Sequence, residues 1–346
     1  MTGALSGIKI IEFAGIGPGP FCAMMLADHG AHMVRVERAG TKTDLRDPML
    51  RNREIVQLDL KSADGVAEAR ALCKTADAIV EGFRPGVMEK MGLGPDLLLS
   101  ENPKLVYARM TGWGQTGPLS NKAGHDINYI AVSGVLHSLG KAGEPPIPPL
   151  NYIGDFGGGA MMCAFGILAA LMAVKNGGQG QVVDAAMTDG SALLSAMTWH
   201  HMQLGHFRDE PGSSMLNGGA HFYRTYQCAD GKFIAVGAIE PQFYAALLTG
   251  LELTEDQNLQ AQFKRDLWPQ NAETLAGVFR TRPRDVWVEV FEDLDACVSP
   301  VLTLHEASQH PQNVQRNVFP TVGGTIQPAP APQLSETPAT LHKTRE

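Results

Sequence analysis

The chain has 346 residues, 44% of them hydrophobic and 18% charged, a balance that builds a sizeable core and leaves room for two domains. Lysine plus arginine number 28 against 36 aspartate plus glutamate, a formal net charge of −8, and no basic block occurs, which excludes a typical nucleic-acid partner. An anionic small ligand is not excluded, because a few local arginines and lysines make a positive site.

Cys22, Cys73, Cys163, Cys228 and Cys297 are too widely spaced to supply a zinc ligand pair. They read as free, buried thiols in a reducing, cytoplasmic compartment. Met1 to Gly7 lacks the basic start and apolar stretch of a signal peptide, and the final residues from Lys343 to Glu346 are no peroxisomal address.

Along the chain, 8–13 predicts a strand, 20–29 a helix and 32–37 a second strand. A third strand is expected over 55–60, followed by a helix to about Ala76 capped by Ser62. Further strands are expected at 77–82 and 104–110, and a helix over 126–139. Strands alternating with helices predict a parallel α/β sheet.

The uncharged run from Phe156 to Val174 is long enough to raise the question of a membrane span. Its three glycines, Gly157 to Gly159, favour a buried core helix over 157–175 instead. A last strand at 181–187 and a helix at 189–205 complete this unit. The texture then changes to a glycine-rich loop at 206–220 and two antiparallel strands, 221–227 and 232–238, around Ala229-Asp230-Gly231. The expected organisation is a large α/β part over 1–187, a linker over 188–221, a small α+β domain over 222–302, and a return to the large domain over 303–346. The proline-rich tail after 320 reads as an extended strap.

Three clusters carry candidate chemistry. Gly15-Ile16-Gly17-Pro18-Gly19-Pro20 follows a strand and Glu37 ends the next one, which imitates a dinucleotide fingerprint. The third glycine of that fingerprint is replaced by Pro20, so nicotinamide binding is the weakest alternative, and a tight turn with Pro20 at a helix start explains the residues. Basic residues recur around successive strands: Arg38 follows the second, Arg51 and Arg53 precede the third, Lys61 follows it, and Arg84 and Lys90 follow the fourth. Each alone is an ordinary surface charge; together, near the carboxyl ends of parallel strands, they suit a ligand with several phosphates.

The third cluster is His125, Asp155 and Glu240, each at a loop-to-helix junction. Asp155 precedes a helix whose first-turn N–H groups are unpaired and suit a developing oxyanion. The ordinary alternatives are a helix N-cap for Asp155, a packed histidine for His125 and a first-turn acid for Glu240.

At these residues the chain resembles a known family. The segments LSGIKIIEFAGIGPGPFCAMMLADHGA, EGFRPGVMEKMGLGP, AGHDINYIAVSG and IGDFGGGAMMCAFGILAAL are similar to class III coenzyme A transferases, and HDINY with AVGAIEPQFY resembles the racemase branch of that family. The resemblance runs from about residue 3 to about 320. It implies a large Rossmann-like domain, a small α+β domain, and two ring-like copies interlocked as a homodimer, with the active site between the large domain of one copy and the small domain of the other.

The resemblance also implies racemisation of 2-methylacyl-CoA thioesters through an enolate. His125 and Asp155 would act as base and acid on opposite faces of the α-carbon, and Glu240 would orient His125. Arg38, Lys61, Arg84 and Lys90 would bind coenzyme A, and the helix from about Phe156 would supply N–H groups to the thioester oxygen. No metal or separate cofactor is expected, because coenzyme A is part of the substrate, and neither a membrane nor nucleic acid is expected as a partner. The alternative is a coenzyme A transferase with Asp155 as a covalent acyl carrier; a non-enzymatic acyl-CoA-binding protein is a further one. Met215 is the expected substrate-facing methionine, with Met187 and Met197 as core filling.

Overall fold

A computed structural model describes residues 3–341; the readings on Met1 and on Lys343 to Glu346 fall outside them. The chain divides into two compact units. One is formed by Met1–Val135, Pro149–Ser195 and Pro311–Glu346, the other by Leu136–Pro148 and Ala196–His310.

The first unit is built on β1 (Lys9–Phe13), β2 (His32–Arg38), β3 (Arg53–Leu58), β4 (Ala78–Glu81), β5 (Val106–Thr111) and β6 (Val182–Ala186). They form one parallel sheet in the order β3-β2-β1-β4-β5-β6. Alternation along each strand explains the two layers of core. Ile10, Met33, Val80 and Ala108 point to one face, where α1 (Pro18–Asp28) packs. Ile11, Val34, Ile79 and Tyr107 point to the other, against α2 (Ala63–Lys74); the short helices α3 (Val87–Lys90) and α4 (Pro95–Glu101) follow β4. The predicted Ser62 cap is present, its hydroxyl accepting from the Gly65 N–H at 3.0 Å.

Several expectations are corrected. The third strand starts at Arg53 rather than 55, because Arg53 is a buried strand residue whose Nε bonds Glu12 at 2.6 Å. Glu12 also pairs with Arg35, and Arg35 bonds Glu37 at 2.7 Å, so two acids and two arginines cancel inside the sheet. Arg51 is likewise buried; its Nε bonds Asp28 at 2.9 Å, and its Nη1 bonds the Pro328 carbonyl at 2.7 Å. These two arginines are structural, not ligand cations.

The helix expected over 126–139 ends early, as α5 (Asp126–Val132), because Gly134 adopts φ 85° just beyond it. The apolar helix does not start at 157. It opens as a π-helix, Tyr152–Ala160, and continues as α6 (Met161–Lys175). By length and composition, Tyr152–Lys175 is the one described helix that could cross a membrane. It is not buried all round: Cys163, Ala164, Ile167 and Ala170 pack inward, while Met161, Phe165, Leu168 and Met172 are 40–71% exposed. The helix expected over 189–205 is two, α7 (Met187–Leu194) and α8 (Ala196–Gln203).

In the second unit β7 (Tyr223–Gln227) and β8 (Phe233–Gly237) pair antiparallel as expected, and β9 (Val298–Pro300) adds to β8. Its core gathers Phe222, Phe279 and Trp287 between this sheet and α9 (Pro241–Gly250), α10 (Trp268–Phe279) and α11 (Arg284–Phe291). All five cysteines are free, but Cys297 is exposed, against the expectation of burial.

Candidate active site

The strand order of the first unit reverses between β1 and β4, and ligands of open α/β sheets bind beyond the carboxyl ends of the strands at such a point. A cavity of about 750 Å³ opens there. Its walls come from the turn after β1, the loop after β4, the end of β5, and His125 and Asp155. Two residues separated by thirty positions of sequence thus share one wall because α5 and the π-helix both start at this sheet edge.

His125 is the exposed N-cap of α5, in extended backbone conformation (φ −131°, ψ 174°). Its N–H donates to Asn128 Oδ1 at 3.0 Å. One residue earlier, the Gly124 carbonyl accepts the hydroxyl of Tyr129, whose ring meets Trp113 edge-on at 4.8 Å. The backbone is therefore fastened on both sides, while the imidazole stays on the cavity wall.

Asp155 lies inside the π-helix, so neither the N-cap reading nor an oxyanion site at the next residue holds. The helix starts at Tyr152, with Asn151 before it. The Asp155 N–H donates to Asp126 Oδ2 at 2.7 Å and the Phe156 N–H to the Asn151 carbonyl at 3.3 Å, so both donors are occupied. The Asp155 carboxylate accepts from Asn151 Nδ2 at 3.2 Å. It also approaches the turn after β1: a Cβ on Gly17 would lie 2.8 Å from Oδ2, and Gly17 has φ 64°, so glycine is required there twice over. Desolvation by burial raises the Asp155 carboxyl above the usual aspartate range; the charge of Asp126 adds to the rise, and Asn151 and His125 oppose it. Protonation is therefore easier at this carboxyl than at an exposed aspartate.

Of the predicted cations, Arg84 lines the cavity, whereas Arg38, Lys61 and Lys90 are exposed and are not among its walls. Lys122, which sequence reading passed over, lines it too. Asn151 was also missed, and Asp126 stood beside His125 in the sequence with no role of its own. Beside His125, an acid at the start of a helix reads as a partner for the helix dipole. Nothing local signals that it holds a backbone 29 positions away.

The nicotinamide alternative fails on Glu37. In that reading the acid binds a ribose; here it is 3% exposed, ion-paired to Arg35 and bonded by the Thr43 hydroxyl. The turn also differs. The helix begins at Pro18 rather than Pro20, and both prolines lack the N–H that would face a diphosphate.

In the second unit Glu240 is the N-cap of α9 and exposed, with no side-chain bond to the helix. A separate cavity of about 580 Å³ in this unit is lined by Met197, Met215, Phe263 and Trp268 among others. Met197 is 55% exposed, so it is not core filling.

An imidazole and a carboxyl whose ionised form burial disfavours line one cavity at the switch point of a doubly wound sheet, a candidate acid–base site in an α/β fold. The chain belongs to CoA-transferase family III, whose pattern matches residues 5–345. It is 49% identical over 336 residues to the α-methylacyl-CoA racemase of Mus musculus, covering 97% of this chain and 87% of the relative. It is 48% identical over 337 residues to the α-methylacyl-CoA racemase of Homo sapiens, covering 97% and 88%. The fold is that of a CAIB/BAIF family protein from Brucella suis, with a TM-score of 0.84 at 21% identity over 100% of this chain and 96% of that one.

Proposed function

We propose that this protein is an acyl-coenzyme A racemase that interconverts the two configurations of 2-methylacyl thioesters. The observation that carries the reading is the placing of His125 and of Asp155, whose carboxyl burial raises above the usual aspartate range, on one cavity. Relatives at 49% and 48% identity bear the racemase name, which supports the substrate class.

A proton α to a thioester is weakly acidic, and inverting the carbon needs a base on one face and an acid on the other. His125 removes the proton from one enantiomer while Asp155 returns one to the opposite face; the roles exchange for the other enantiomer. The electron pair rests meanwhile on the thioester oxygen as an enolate. Glu240 orients the imidazole. The thioester supplies the activation, so no metal or additional cofactor enters the scheme, and chelation leaves the rate unchanged. Arg84 and the exposed Arg38, Lys61 and Lys90 offer cations to the phosphates of coenzyme A. The adaptable surface of Met197 and Met215 suits acyl chains of varied shape.

We further propose a cytoplasmic homodimer in which Glu240 of one copy serves His125 of the other. The unpartnered apolar face of α6, carrying Phe165 at 71% and Met172 at 57% exposure, supports association.

The test is proton exchange. One enantiomer of a 2-methylacyl-CoA is incubated with enzyme in deuterium oxide and its C2 proton followed by NMR. Loss of that signal together with appearance of the other enantiomer is expected. Transfer of coenzyme A to an added free carboxylate, with no exchange, would establish the transferase alternative instead, with Asp155 as acyl carrier.

A further inference from the structure

Glu81, the last residue of β4, is a buried acid on the cavity that the proposed chemistry does not use. It is 1% exposed. One carboxylate oxygen accepts the Phe83 N–H at 2.7 Å and the other accepts Arg109 Nε at 3.1 Å. Arg109, on β5, reaches further: its Nη1 bonds Glu89 Oε1 at 2.9 Å. Glu89 belongs to the short helix α3 (Val87–Lys90), which follows the loop Gly82–Gly86. Arg109 therefore ties the strand before this loop to the helix after it, and Glu81 folds back on the loop itself. Arg84 sits in the middle of that loop, exposed on the cavity wall and in no ion pair among the described residues.

We propose that Glu81 is a positioning residue for thioester binding, clamping the loop through Phe83 and Arg109 so that Arg84 is held ready for an anionic group of coenzyme A. The inference rests on the acyl-CoA reading of this cavity. An unclamped loop would have to be ordered at the moment of binding, and that entropy would be lost from the affinity. Arg109 is satisfied by two acids at once, and both anchors are charge-assisted hydrogen bonds, the stronger kind.

The clamp is also sensitive to protons. Burial raises the Glu81 carboxyl to about 7, opposed by the Phe83 N–H and by Arg109. The charged and titratable groups facing it are Arg109 and Tyr107 from β5 and Glu89 from α3. Below that value Glu81 is neutral, and Arg109 keeps only Glu89 as a counter-charge.

The test measures binding of coenzyme A itself by calorimetry, for wild type, Glu81→Gln and Glu89→Gln, at about pH 8 and about pH 6. Glu81→Gln keeps the shape and one acceptor oxygen, but it removes the charge and turns an NH2 towards one of the two donors, the Phe83 N–H or Arg109 Nε. Weakening of about tenfold is expected for Glu81→Gln at the higher pH, the scale of one charge-assisted bond, shrinking to about twofold at the lower pH, where wild type is also neutral. Glu89→Gln, on an exposed side chain, should weaken binding at both. In turnover, the Glu81 variant should raise KM far more than it lowers kcat. Equal binding by wild type and Glu81→Gln at the higher pH overturns the inference and leaves the racemase reading standing. So does a loss that only follows a lowered melting temperature, whereas an equal loss at both pH values supports the clamp and overturns its proton sensitivity. No binding of coenzyme A by wild type overturns the racemase reading, and this inference with it.

Discussion

Asp155 is held in a place where its charge is costly. Its N–H is anchored by Asp126 and its carboxylate by Asn151, yet burial and the Asp126 charge disfavour its ionised form. Its folded pKa lies above the unfolded value, so its stabilising contribution is complete below the ordinary aspartate value of about 3.9 and is lost as pH rises through the raised value. Asp155→Asn should therefore melt at a higher temperature than wild type at neutral pH. The gain should shrink towards about pH 4, as thermal denaturation at the two pH values would show. In the proposed two-base scheme, His125→Ala and Asp155→Ala should each lose about a hundredfold or more in racemisation rate, the scale of a general acid–base group. Near-wild-type rates in both variants would end the two-base scheme.

At the scale of elements, the glycine run explains how a π-helix can carry Asp155 to the cavity wall. Gly158 lies against α7, where a Cβ on Gly190 would come 1.8 Å from the Gly158 carbonyl oxygen. The two backbones meet glycine to glycine, which brings the helix close enough for Asp155 to reach the turn at Gly17. Wide i→i+5 turns are frequent at functional sites because they re-aim one side chain without ending the helix. Gly190→Ala should push the two elements apart and cost roughly 1–3 kcal/mol, as overpacking does, measured by denaturant unfolding. Activity should fall by more than stability alone explains, because Asp155 moves with the helix. A variant with wild-type stability and rate would show that this contact does not set the position of Asp155.

For the whole molecule, the exposed face of α6 bears on association. Helix α6 is apolar on both faces, and one of them is exposed in a single copy. Helices apolar all round are normally covered. If two copies share their sites, co-expressed His125→Ala and Glu240→Ala chains form mixed dimers with one intact and one doubly altered site. Activity should then return to a substantial fraction of wild type, although each variant alone is impaired. Absence of recovery in purified mixed dimers would place His125 and Glu240 of one chain in the same site.

Much of this protein could be read along the chain. Periodicity and turn residues located all six parallel strands, and the resemblance of HDINY and IGDFGGG to a known family named His125 and Asp155 before any geometry was known. These signals are local: a strand alternates, a helix is capped, and a motif is contiguous. Tertiary structure decided what each charge does. Arg51 and Arg53 look like Arg84 in sequence, yet the first two are buried against Asp28 and Glu12 and only Arg84 faces the cavity. Glu81, Arg109 and Asp126 act on backbone and side chains brought close only by the packing of strands and helices. The cost of burying a charge, and the partner that offsets it, depend on neighbours remote in sequence, and no local pattern records them.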